Sequence, residues 1–205
     1  LISYEELYKN QPRNTQYFTK IIECHQQLQS FDQAEKLLQK EYNASQRPQL
    51  LIDLGYNFKL QKNEKEANKN YEKAIASIEK TINHVFSIAQ RFEQKGLYDY
   101  ALLSFEKAQS LDSKLNFNYQ IGVLYGQTGK TDLMIEKFLD ESYTNQNSVQ
   151  IIQNQFSRFM NDNPDENFSI SLRKSLIQRA QKDQDLFWNS YLSWFYTNQK
   201  DYGNA

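Results

Sequence analysis

The run INHVFSIAQRFEQKGLYDYALLSFEKAQSLDS, residues 82–113, decides how the rest of the chain reads. Val85, Ile88, Ala89 and Phe92 recur at the spacing of one helical face, Gly96 interrupts, and Tyr98, Ala101, Phe105, Ala108 and Leu111 resume on a second face. Two amphipathic helices joined by a tight turn predict a helix hairpin. Neither apolar face can bury itself alone, so the hairpin needs neighbours of the same kind.

The chain supplies them at a constant step. One step back from the central run lie Leu51, Leu54-Gly55, Phe58, Ala67, Tyr71 and Ala74. A second step back reaches Phe18, Ile21-Ile22, His25, Ala34 and Leu38, with Phe31 standing where Tyr98 stands. One step forward lie Ile121-Gly122, Tyr125, Gly129, Met134 and Phe138. At the second-helix position, Tyr4, Leu38, Tyr71, Phe105 and Phe138 follow one another at equal intervals, to within a single residue. The small residues Gly55/Ala67 and Ala89/Ala101 let paired helices approach closely, while the large ones fill the space between pairs. Gly96 and Gly129 fall where a first helix ends and a left-handed residue is wanted, and Asn63 is expected in the same role. Pro12 and Pro48 fall at or near junctions, where proline can start a helix but not continue one.

A large residue, Leu-Gly, Tyr, Ala and an aromatic at fixed offsets, repeating every ~34 residues, resembles the tetratricopeptide repeat. The resemblance implies an all-α protein, a right-handed superhelix (solenoid) of antiparallel helix pairs running over residues 1–205 as a single array. Its repeats are expected at 14–47, 48–81, 82–114 and 115–147, with a degenerate helix pair at 148–184. Residues 1–13 match the end of a truncated repeat and 185–205 the start of another, so the array is expected to continue beyond both ends. Within 148–184, Ile152, Phe156 and Phe159 make one stripe and Leu172, Leu176, Ile177 and Ala180 a second, while Asn163, Pro164 and Glu166 form a helix-start signal. That pair reads either as a degenerate repeat or as a contact site or change of superhelix.

Composition narrows the function classes. The 205 residues carry 24 basic and 25 acidic side chains, interspersed, for a net charge of −1. A nucleic-acid surface needs a basic stripe that this chain lacks. The hydrophobic share of 39%, with 14% aromatic, is enough large side chain to build cores. Cys24 is the only cysteine, so no intrachain disulfide is possible. No stretch approaches the roughly 18 apolar residues of a membrane span, so direct membrane insertion is not expected. Richness in Asn, Gln, Lys, Ile and Tyr suggests an AT-rich bacterial genome; a soluble protein is expected, with the compartment, bacterial cytoplasm or periplasm, left open.

The resemblance implies a protein–protein interaction module, an adaptor or scaffold, whose partner is another protein or a peptide held in a concave groove lined by first helices. The groove positions it implies include Gln49, Asp53, Tyr56, Phe86, Ser87, Gln90, Asn116, Tyr119, Gln120, Asn154, Tyr191 and Trp194. Amides dominate, and amides pair with both donors and acceptors of a peptide backbone; Tyr56, Phe86 and Tyr119 would receive apolar side chains. Of basic residues the groove offers Lys20 and little else, which argues against the clamp that captures carboxyl-terminal chaperone tails. Lys20, Asp53, Ser87, Gln120 and Asn154 occupy the row where a sugar-transferase superhelix carries an asparagine ladder. The aromatic run Phe187, Trp188, Tyr191, Trp194, Phe195 and Tyr196 reads as a packing surface for a following repeat, with some rings facing the groove.

Nothing points to an enzyme, a metal or a cofactor. There is no phosphate-binding glycine loop, no G-x-S-x-G and no H-E-x-x-H. His25 stands at a packing position as a core filler, and His84 lacks ligands at metal-site spacing. Carboxylate neighbours such as Asp140-Glu141 read as solvated charge on a helix. The alternative function is a regulatory or substrate-binding portion of a larger enzyme or envelope complex.

Overall fold

The computed structural model describes residues 1–12, 14–161, 166–183 and 185–205, and among them it is all-helical. The chain forms two compact units, Leu1–Lys114 and Leu115–Ala205. The division falls at the border between the stretches 82–114 and 115–147.

The first unit holds α1 (Ile2–Asn10), α2 (Thr15–Gln27), α3 (Phe31–Ser45), α4 (Gln49–Leu60), α5 (Glu64–Ala76), α6 (Val85–Gln94) and α7 (Tyr98–Leu111). The second holds α8 (Asn118–Gln127), α9 (Thr131–Thr144), α10 (Val149–Asn161), α11 (Glu166–Asp183) and α12 (Leu186–Asn198). Short 3-10 turns at Ser77–Glu79, Ile82–His84 and Gln146–Ser148 join α5 to α6 and α9 to α10. Within each unit, helices adjacent in sequence pack on one another. In α8 and α9 the direction is explicit. A Cβ on Gly122 would meet the Phe138 ring and one on Gly126 would meet Met134 Sδ, so four residues forward on α8 match four residues back on α9. That pairing is antiparallel.

One turn recurs through the chain. Gln29, Lys62, Gly96, Gly129 and Lys200, like Gln46, take positive φ, between 53° and 71°. At all of these but Gln46 the next residue's N–H reaches back to the carbonyl five residues earlier: Ser30 to His25 (2.8 Å), Asn63 to Phe58 (3.0 Å), and Leu97 to Phe92, Lys130 to Tyr125 and Asp201 to Tyr196 (each 2.9 Å). The left-handed residue's own N–H bonds one turn back, as Gly96 does to Glu93 at 2.9 Å. This is the Schellman ending, which satisfies orphaned carbonyls of a helix end. Gln29, Lys62, Gly96 and Gly129 place it once in every repeat step. The expectation for Asn63 is corrected: Lys62 takes the left-handed conformation, and Asn63 caps α5 by accepting from Glu66 N–H at 3.3 Å. The short amide serves better as a cap, because its oxygen reaches the orphan donors of the new helix.

Packing between pairs follows the large residues. In the first unit Tyr71 of α5 meets Phe92 edge-on at 5.6 Å and Tyr100 at 4.8 Å, and Tyr100 donates to Asn68 Oδ1 at 2.8 Å. Tyr71, Phe92 and Phe105 are buried. Gly55 makes the close approach within the pair possible, since a Cβ there would lie 2.9 Å from Ala67 O and closer still to the Tyr71 ring. In the second unit Phe138, Phe156 and Phe168 form a chain of rings at 6.0 and 5.8 Å that joins α9, α10 and α11. Trp188, Tyr191 and Phe195 of α12 complete this core. The aromatic run at 187–196 is therefore largely a core face of its own unit. Asn163 and Pro164 of the helix-start signal lie outside the described residues, and α11 begins at Glu166.

Candidate functional site

In the first unit the groove positions gather around Asp53. This residue lies one turn after Gln49 on α4 and is 5% exposed. Arg91 of α6 grips it with both prongs, Nε to Oδ1 and Nη2 to Oδ2, each at 2.8 Å. Lys95, one turn further along, stands 3.7 Å from Oδ1 and 4.8 Å above the Tyr56 ring. Burial pushes the Lys95 ammonium below the usual lysine range, with Asp53 opposing that shift. A cavity of about 250 Å³ is lined by Gln49, Asp53, Ser87, Gln90 and Arg91 together with residues of α2. The carbonyl oxygen of the Gln49 side chain is buried there without a hydrogen-bond partner among the described residues. Ser87 donates to the His84 carbonyl at 2.9 Å. Phe86 lies outside that lining, 53% exposed, with its ring edge-on to Phe105 at 5.9 Å.

Sequence reasoning missed the two cations that face Asp53, and Arg47, which also lines the cavity. Arg91 and Lys95 lie four residues apart at the end of α6, on the side that meets α4, and a fixed-offset list of groove positions does not include them. The view of a groove with Lys20 and little else basic is corrected accordingly. Both cations are engaged by Asp53, and Lys20 pairs with Glu23 at 2.7 Å.

In the second unit Tyr119 and Gln120 of α8 line an open cleft of about 590 Å³ with Asn116, Glu141, Asn145, Ser148 and Ile151. Glu141, on α9, is 7% exposed, which corrects its reading as solvated charge. Its neighbour Asp140 points to another partner, accepting from Arg179 at 2.7 Å. Glu141 Oε2 accepts from Asn116 Nδ2 at 2.7 Å and Oε1 from Asn145 Nδ2 at 2.9 Å. The sequence signal, a carboxylate one turn before an asparagine, is too common to single out.

The remaining expected positions are scattered. The Tyr119 hydroxyl accepts from Gln155 at 3.0 Å and its ring tilts against Phe138 at 5.6 Å. Asn154 is exposed and accepts from Gln150 at 3.1 Å. Tyr191 is buried, its hydroxyl 3.4 Å from Ser142 Oγ, and burial holds its phenol well above the usual tyrosine range. It offers no surface to a partner. Trp194 stands edge-on to Tyr191 at 5.3 Å and is half-buried.

Among the described residues no group of three or more His, Cys, Asp or Glu side chains is placed to hold a metal ion, and no helix is long and apolar enough to cross a membrane. The class this defines is an all-helical protein whose helices pack in neighbouring pairs, with concavities lined by both polar and apolar side chains. No protein-family model matches the chain, and no curated protein matches it.

Proposed function

We propose that the chain is a protein–protein interaction module of tetratricopeptide type, in which the helix pairs of each unit are turns of a right-handed superhelix and the first helices bind a peptide segment. The observation that carries this reading is the Schellman ending repeated at Gln29, Lys62, Gly96 and Gly129, each time after the aromatic or histidine that ends a first helix. That the turn keeps its geometry at an even step along the chain while its residue changes from Gln to Lys to Gly supports a repeated unit. The faces those first helices carry are rich in neutral amides, which suit an extended backbone by donating and accepting alike. In the first unit Phe86 and Gln90 are exposed; in the second, Gln120 lines a cleft.

The test is selection of peptides from a random display library by the immobilised protein, followed by the variant Phe86→Ala/Gln90→Ala/Gln120→Ala. These side chains take little part in the buried cores, so helicity should stay intact while capture of the selected peptides falls at least tenfold. Undiminished capture would place binding elsewhere and sink the reading.

A further inference from the structure

The cleft around Glu141 has a charge that the protein itself does not answer. Glu141 is more than nine-tenths buried, and its two oxygens accept from two neutral amides, Asn116 and Asn145. Among the described residues no Lys, Arg or His nitrogen comes within ion-pair distance of it. Lys137, one turn earlier on the same helix, reaches Asn118 instead, at 3.4 Å. An ionised carboxylate has about four acceptor positions, and here two are filled. A buried charge without a counter-ion is costly, and the cost is relieved when a cation arrives.

The surroundings say what kind of cation fits. A calcium ion takes six to eight oxygens, usually from several carboxylates, whereas this cleft has one carboxylate already facing two N–H donors. Gln120, Ser148 and Glu141 supply acceptors for N–H groups, and the Ser148 hydroxyl spends its proton on the Asn145 carbonyl at 2.6 Å, which leaves its oxygen to act as an acceptor. Ile151 adds an apolar edge to the lining, suited to the methylene stem of a long cationic side chain. We infer that this cleft binds the ammonium or guanidinium of a lysine or arginine side chain, with Glu141 as its counter-ion; that a peptide segment carries this side chain rests on the function proposed above.

The test uses the whole protein, ¹⁵N-labelled, titrated with N-acetyl-arginine amide, N-acetyl-lysine amide and, as a neutral control of similar length, N-acetyl-norleucine amide. The side-chain amide signals of Asn116 and Asn145 should shift saturably with one or both cationic probes and not with norleucine, and the two cations rank ammonium against guanidinium. Glu141→Gln should weaken that binding at least tenfold. Gln120→Ala, which leaves the carboxylate and its two amides in place, should weaken it several-fold and keeps the test decisive if the first variant fails to fold. An equal response to norleucine, no saturable response, unchanged affinity in Glu141→Gln, or, if that variant does not fold, unchanged affinity in Gln120→Ala would overturn the inference. Because the probes are single amino acids, their failure removes the cation site and leaves peptide capture to its own test.

Discussion

Among the described residues each unit buries one carboxylate against a helix pair, and the two are neutralised in opposite ways. Asp53 brings its own cations: Arg91 closes a two-pronged bond on it and Lys95 stands behind. Glu141 is held by amides alone. A carboxylate that is already matched works as a structural tie between α4 and α6, because removing either partner leaves a bare charge in a poorly solvated place. One held only by neutral donors is positioned but still electrostatically open. The same residue class thus serves cohesion in one unit and recognition in the other, and the difference lies entirely in what faces it.

The largest expected effect tests the closed site. Arg91→Ala strands Asp53 beside a lysine 3.7 Å away, and urea unfolding should show a loss of about 3 kcal/mol; a loss below about 1 kcal/mol would mean the pair is not a tie. Next come the two glycines at equivalent places in the units. Gly55→Ala drives a methyl against the Ala67 backbone carbonyl, which cannot move aside, and should cost about 2 kcal/mol. Gly122→Ala first meets the Phe138 ring, which can tilt, and should cost about 1 kcal/mol, partly offset by better helix propensity. Equal costs would mean that backbone approach does not distinguish the pairs.

Asn116→Ala removes one of the two donors on Glu141, and its cost should be about 1 kcal/mol. If Arg91→Ala proves no more damaging than this, the contrast between closed and open carboxylates fails. The smallest effect belongs to Tyr71→Phe. The Tyr71 hydroxyl is buried without a partner among the described residues, so its removal should leave stability unchanged or raise it by up to about 1 kcal/mol. The same variant changes the response to alkali. Burial raises the Tyr71 phenol above its ordinary value, so above about pH 10 the unfolded chain ionises while the folded one does not. Wild-type stability should therefore fall as pH climbs past about 10, and Tyr71→Phe should lose less between about pH 9 and 11. Tyr191, raised by burial in the second unit, allows the same comparison there.

Much of the fold was legible because its causes are local. Gly96 and Gly129 marked left-handed turns since glycine alone enters that region without cost, and both turns are present. Lys62 and Gln29 adopt the same conformation without advertising it, because there the packing of flanking helices compels what the residue does not prefer. Tyr71, Phe105 and Phe138 were readable as buried from spacing alone. The groove positions were less so. Fixed offsets placed Gln49, Asp53, Ser87 and Gln90 at one cavity, yet they placed Tyr191 on a binding face when its ring lies in the core, because α12 is apolar on nearly every side and its pattern cannot show which side is covered.

What the order of residues decided is the helical character, the length of the repeating step and the identity of the interlocking rings, all of which follow from periodicity within one turn or one pair. Which polar side chains became charged sites was settled only in three dimensions. Asp53 meets Arg91 and Glu141 meets Asn116 from separate helices or turns far along the chain. A carboxylate's role depends on the charge and hydration of the groups that packing brings to it, and no spacing along the chain encodes that.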